Sequence, residues 1–217
     1  MLSAKLSVIV MVTFVTTAKT DTPCCTPPQF SGVGRILTGS INRENDRSTE
    51  VNFVLQFDSL NKLVGTENAV QQGDHVSSYK LILDYRKGVQ YLIEGRECIK
   101  STLQQKDKIG CVPDNSTLMS HYWFGSMEKF GEHMFAKSFQ VADQGLTGFL
   151  SVTEKDCALI SETVYGSVNT VPMMRSTVLV NQTNWVDQDF FKVPESCILK
   201  PSLPLLAPWS ELSFMNW

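Results

Sequence analysis

Six cysteines, Cys24, Cys25, Cys98, Cys111, Cys157 and Cys197, are the side chains of this sequence with the most chemistry to offer. They can be oxidised to cystines or bind a metal. Zinc sites draw on closely spaced cysteine pairs with histidine or cysteine partners, and this chain has no C-x-x-C pair and no histidine beside a cysteine. Adjacent Cys24 and Cys25 are badly placed to hold one ion together. An even number of thiols in an oxidising compartment points instead to structural disulfides. Six cysteines allow fifteen pairings, and spacing alone does not choose among them.

The three histidines, His75, His121 and His133, stand apart, and neither a G-x-S-x-G elbow nor an H-E-x-x-H helix occurs. Catalysis is not expected. Calcium has little sequence support: no D-x-[DN]-x-[DN]-G loop is present, and Asp187-Gln188-Asp189 and Asn42 to Asp46 read as solvated loops. Two sequons, Asn115-Ser116-Thr117 and Asn181-Gln182-Thr183, lack proline at the middle position, so Asn115 and Asn181 are expected to face solvent and carry glycans.

These residues sit in a chain of 217 residues that opens with Lys5 and the apolar run Leu6 to Val15, followed by small residues up to Ala18. That run is too short to span a bilayer, which takes roughly 20 residues, and it reads as a signal peptide over 1–18. No later run reaches that length, so no transmembrane segment is expected. Removing Lys5 makes the formal charge of −3 one unit more negative. A mildly acidic product with scattered Lys and Arg offers no basic face to nucleic acid. The stretch His121-Tyr122-Trp123-Phe124 lacks close basic flanks and reads as core packing. Apolar residues make up 42% and charged residues 19%, with twelve Phe, so one packed domain is expected.

The elements that carry these residues are strands. Val51, Phe53, Leu55 and Phe57 alternate with other residues, the period of a strand with one face on a core. From Tyr79 to Gly95, two alternating runs flank Arg86-Lys87-Gly88, and a three-residue loop would place Tyr85 opposite Val89, Leu83 opposite Tyr91 and Leu81 opposite Ile93. Ile82 and Leu92 add apolar groups to the other face, so this hairpin should be covered on both sides. Further runs at Arg35 to Ser40, Met134 to Val141, Gly148 to Thr153, Leu159 to Tyr165 and Arg175 to Asn181 complete an antiparallel sandwich or open barrel. Residues 199–217 alternate proline with large apolar residues and read as an irregular arm after a domain spanning 19–198.

An ordered set of anchors resembles the ependymin-related family: Pro23-Cys24 with Pro27 and Phe30, Tyr85-Arg86-Lys87-Gly88-Val89, Arg96-Glu97-Cys98, Pro113 with Asn115-Ser116-Thr117, Val152 to Cys157, and Phe191-x-x-Pro194-x-x-Cys197. The resemblance runs from about Cys24 to Cys197. It implies an all-β protein of two stacked, curved antiparallel sheets forming an open half-barrel around a hydrophobic pocket, similar to bacterial lipoprotein carriers, often as a homodimer. It further implies the pairs Cys24–Cys157 and Cys98–Cys197. The family's vertebrate members carry another cysteine where His75 falls and a terminal one that this chain lacks, so Cys25 and Cys111 are left over, and a local bridge between them is our hypothesis.

With such a pocket, one face of the strands would line it, and the expected lining is Phe53, Leu55, Phe57, Leu81, Leu83, Tyr91 and Ile93. The implied ligand is a lipid or another hydrophobic small molecule in a secreted glycoprotein, with the lysosomal lumen as a second destination. The alternative from the same resemblance is an extracellular matrix or cell-adhesion protein acting through its surface and calcium. No other cofactor is implied.

Overall fold

A computed structural model describes residues 24–200 except 43–44, 104–109, 127, 130, 132, 144–145 and 169–170. The expected signal peptide and residues 201–217 of the expected arm lie outside the described residues. Twelve strands form one sheet: β1 (Gln29–Asn42), β2 (Asn45–Asp58), β3 (Leu63–Gln72), β4 (His75–Asp84), β5 (Val89–Glu94), β6 (Glu97–Thr102), β7 (Thr117–Gly125), β8 (His133–Asp143), β9 (Leu146–Thr153), β10 (Leu159–Val168), β11 (Val171–Thr183) and β12 (Ile198–Leu199). A 3-10 turn at Gln188–Phe191 is the helical element among the described residues.

The spatial order is β12-β6-β5-β4-β3-β2-β1-β11-β10-β9-β8-β7. Two antiparallel meanders, β1 to β6 and β7 to β11, are thus joined side by side through β1 and β11. The sheet is all-β and open, and its stacked halves belong to one continuous hydrogen-bonded sheet rather than to two separate ones. The reason lies in its core. Leu81 and Leu83 of β4 share a buried cluster with Leu150 and Val152 of β9. Five strands separate β4 from β9, about 29 Å across a flat sheet at a strand spacing of about 4.8 Å. Only a sheet curled onto itself brings them together.

Period two decides which residues enter that curl. Along β2, Val51, Phe53, Leu55 and Phe57 are buried while Asn52 and Val54 are exposed. Their neighbours make room: a Cβ on Gly34, opposite Phe53 on β1, would overlap the phenyl ring. The interior is not uniformly apolar. Arg175 and Glu162 are buried with an N–O separation of 3.7 Å, and buried Thr177, two residues along β11 from Arg175, is the cross-strand partner of Glu162.

The hairpin from β4 to β5 differs from the expected register by one residue. Asp84, not Tyr85, pairs with Val89, which leaves a four-residue loop, Tyr85 to Gly88. Asp84 causes this, because its Oδ1 accepts the Lys87 N–H at 2.9 Å and its Oδ2 receives Lys87 Nζ at 2.9 Å, closing the turn one residue early. Gly88 then takes φ +64°, a conformation that favours glycine. Consequently Ile82 faces Tyr91, and Lys80 faces Ile93, on the outer side of the curl.

That outer side is covered here by the chain after β11. Phe190 and Phe191 lie over Gly65, where a Cβ would overlap them, and Phe191, Val193 and Cys197 pack with Ile82, Tyr91 and Cys98. The hairpin is therefore buried on both faces. At the start of the expected arm, Leu199 pairs in parallel with Lys100 of β6.

Candidate functional site

The connection from β6 to β7 joins strands near opposite ends of the sheet, and residues 104–109 of it lie outside the described residues. Its residues Gly110 to Val112 meet the segment Cys24 to Thr26 that precedes β1. The Thr26 N–H donates to the Gly110 carbonyl at 2.9 Å and the Val112 N–H to the Cys24 carbonyl at 2.7 Å. Gly110 permits this contact with φ +65° and no side chain, since a Cβ there would crowd Thr26 Oγ1 and Phe57.

Disulfides pin the two segments. Cys25 is bonded to Cys111 across the bridge itself, and Cys24 is bonded to Cys157. The turn from β9 to β10 presents Cys157 in a left-handed conformation, φ +51°, stabilised by hydrogen bonds of Thr153 with Ala158. The third bridge joins Cys98 to Cys197 and holds the segment after β11 against the outer face. No described cysteine is a free thiol.

Beneath this roof is an apolar cavity of about 30 Å³. Phe30, Leu55, Phe57, Leu150, Val152 and Leu159 line it from the sheet, and Cys24, Thr26, Gly110, Cys111, Val112 and Cys157 line it from the roof and the β9–β10 turn. Phe30 and Phe57 stack with ring centroids 5.0 Å apart. No charged side chain lines the cavity. Its one buried side-chain polar atom, Thr26 Oγ1, has no hydrogen-bond partner among the described residues. A water there would have few partners, whereas buried waters usually make about three hydrogen bonds.

The structure divides the seven expected lining residues. Leu55 and Phe57 line the cavity, while Phe53, Leu81 and Leu83 belong to the same core cluster without reaching it. Tyr91 and Ile93 do not face the interior at all. The one-residue change in hairpin register turns both to the outer cluster with Ile82 and Cys98. The residues that sequence reasoning missed come from β9, β10 and the cysteine flanks. Their signal was the alternation of Leu150 and Val152, which marks a strand but not which strand it will face.

The other candidate sites are accounted for locally. Asn115 and Asn181 are both exposed, the first in a turn closed by Ser116 N–H to the Pro113 carbonyl at 3.0 Å. Asp187 caps the 3-10 turn by accepting the Asp189 N–H at 3.0 Å, and Asp189 pairs with Lys192 at 2.9 Å. Residues 43–44 of the Asn42 to Asp46 loop lie outside the described residues. Among the described residues no three His, Cys, Asp or Glu side chains are placed together to hold a metal. His121 Nδ1 lies 3.2 Å from Glu154 Oε1, and the described residues bring neither His75 nor His133 to it. The stretch from His121 to Phe124, expected in the core, lies on the edge strand β7 with Trp123 and Phe124 exposed. No described helix is long and apolar enough to cross a membrane.

No curated protein matches the chain at a significant level. Among solved structures, an uncharacterized conserved protein from Thermus thermophilus is similar at 9% identity and a TM-score of 0.47, with 81% of this chain and 91% of that chain covered. MucB in complex with MucA(peri) is similar at 11% identity and a TM-score of 0.16, with 72% of this chain and 88% of that chain covered. The sequence profile of the Ependymin family matches residues 74–197, which is more than half of the chain, and the chain belongs to that family.

Proposed function

We propose that this protein is a secreted, glycosylated ependymin-related binding protein that holds a lipid-type ligand inside its curled sheet and does no catalysis. The observation that supports this reading is the cavity under the cystine-pinned roof: an apolar wall with one buried, unsatisfied hydroxyl. That combination suits a ligand with a long apolar body and one uncharged polar group. An acyl chain would contribute about 0.8 kcal/mol per buried methylene. A cavity of about 30 Å³ is smaller than such a ligand, so loading requires the roof to lift from Phe57 and Leu150.

Native mass spectrometry of the gently purified secreted protein tests the reading. A lipid adduct that disappears on delipidation, and returns when an apolar fluorescent probe is displaced by added lipid, is the expected result. A ligand-free protein that takes up neither lipid nor probe overturns it.

A second reading, surface adhesion to extracellular matrix, draws on the outer face of β1 and β11, where Val33, Leu37, Val178 and Val180 are exposed. It predicts matrix binding by a lipid-free protein.

A further inference from the structure

We propose that a groove on the outer face of the sheet, over Gly39, is a saccharide site that takes the neutral pyranose end of a glycan. The groove encloses about 560 Å³, against about 30 Å³ for the interior cavity. That size falls within the roughly 300–1,000 Å³ of small-molecule sites. Strand register builds it. Gly39 and Leu37 alternate with buried Ile36 and so face outward. Gly39 stands between Met174 of β11 and Ser48 of β2, and Leu37 stands between Ser176 and Glu50, with Gln71 of β3 beyond Glu50. A Cβ on Gly39 would have no atom within 4 Å, so the missing side chain leaves a trough between the two flanks.

The flanks differ in chemistry. On the β11 side Met174 is exposed, as are Leu37 and Tyr165, the β10 partner of Met174, and together they offer an apolar surface. On the β2 and β3 side Ser48, Glu50 and Gln71 offer a hydroxyl, a carboxylate and an amide. The carboxylate is oriented by its neighbours: Arg35 Nη2 donates to Glu50 Oε2 at 2.6 Å and Asn52 Nδ2 donates to Oε1 at 3.0 Å. An ionised carboxylate has about four acceptor positions, so it can take further donors. A pyranose ring has the same two-sidedness, a C–H face that packs on apolar side chains and a rim of hydroxyls that donate to carboxylates and exchange hydrogen bonds with amides.

Other ligand classes fit this lining less well. Phosphate and sulfate need basic partners, yet none of the described lining residues is basic, and Arg35 beside them is paired with Glu50. An acyl chain would cover three polar side chains and return no hydrogen bonds. A peptide strand finds no open ladder, because β1, β2 and β11 lie inside the sheet with both edges paired. The groove and the cavity lie on opposite faces of the sheet, so the sugar site is independent of what the cavity holds.

The test applies the secreted, glycosylated protein to an array of neutral, sialylated and sulfated oligosaccharides, followed by titration calorimetry of the best neutral binder before and after delipidation. Binding of a neutral oligosaccharide, unchanged by delipidation, is the expected result. Gly39→Val suits a strand and fills the trough, and it should weaken binding at least tenfold while leaving the melting temperature and the uptake of an apolar probe at wild-type values. Gln71→Ala removes an exposed amide, should weaken binding several-fold, and decides the matter if Gly39→Val fails to fold. Retention on vesicles bearing a neutral glycolipid, abolished by Gly39→Val, would add a lipid-borne source of the same sugar chemistry. Retention that Gly39→Val leaves intact, with no binding of free oligosaccharide, overturns the proposal. So does binding confined to sialylated or sulfated glycans, or wild-type affinity in the folded variants.

Discussion

Thr26 is the residue where stability and binding part company. Its hydroxyl is buried against an apolar cavity without a partner among the described residues, and an unmet hydroxyl costs about 1 to 3 kcal/mol. Thr26→Val keeps the shape and removes that cost, so it should raise the melting temperature while weakening binding of a hydroxyl-bearing lipid several-fold and leaving a purely apolar probe unaffected. Calorimetry and probe displacement on the same preparation check both halves. Asp58 shows the opposite case, a buried group whose partners are in place. Burial pushes its carboxyl up, but hydrogen bonds from the Asn61 side chain, the Gln188 side chain and the Asn61 N–H outweigh this and hold it below its ordinary value of 3.8. A lowered folded-state value means that the stabilisation is whole above about pH 4 and is lost as pH falls through that lowered value. Asp58→Asn should therefore destabilise the protein at neutral pH by about 1 to 3 kcal/mol. The gap from wild type should narrow below pH 4, as urea melts at a series of pH values would show.

At the scale of elements, the hairpin from β4 to β5 is held by Asp84 as much as by its apolar rows. Asp84→Ala frees the Lys87 N–H and removes the ion pair, and should cost about 1 to 2 kcal/mol. It should also cost the Leu103 amide, which donates to the Gly88 carbonyl at 2.9 Å, its protection from hydrogen exchange. An unchanged Leu103 exchange rate would show that the loop is set elsewhere. The same aspartate explains what the sequence could and could not disclose. Strand existence was legible, because Phe53, Leu55 and Phe57, or Leu150 and Val152, alternate with the period of two that a half-buried strand requires. Register was not, because a side-chain acceptor closing a turn outcompetes the neat apolar pairing of Leu83 with Tyr91. The reading of His121 to Phe124 failed for a related reason: aromatic content marks a surface that will be buried, but not whether the chain itself does the burying.

On the scale of the whole molecule, the all-β class followed from many short alternating runs, whereas the cavity depended on how a twelve-stranded sheet curls, which no local pattern encodes. Its walls come from β1, β2, β9 and β10, and its roof from two segments more than eighty residues apart, joined by the Cys25–Cys111 bond and the backbone hydrogen bonds beside it. The three bridges should accordingly differ in what their loss does. Replacing Cys98 and Cys197 together by serine opens a loop of 99 residues and frees the segment that covers Ile82 and Tyr91. The loop-entropy model gives a loss of about 4 to 5 kcal/mol for a loop of this length, and the bared outer face should bind a hydrophobic dye. Replacing Cys25 and Cys111 together leaves Cys24–Cys157 to anchor the start of the chain, so the sheet persists while the roof loosens. That variant should retain the wild-type β-sheet circular dichroism and take up an apolar probe several times faster in stopped-flow mixing. Equal uptake rates in wild type and the Cys25/Cys111 variant would mean that ligand reaches the interior by another route, because the roof would then have had no part in limiting access.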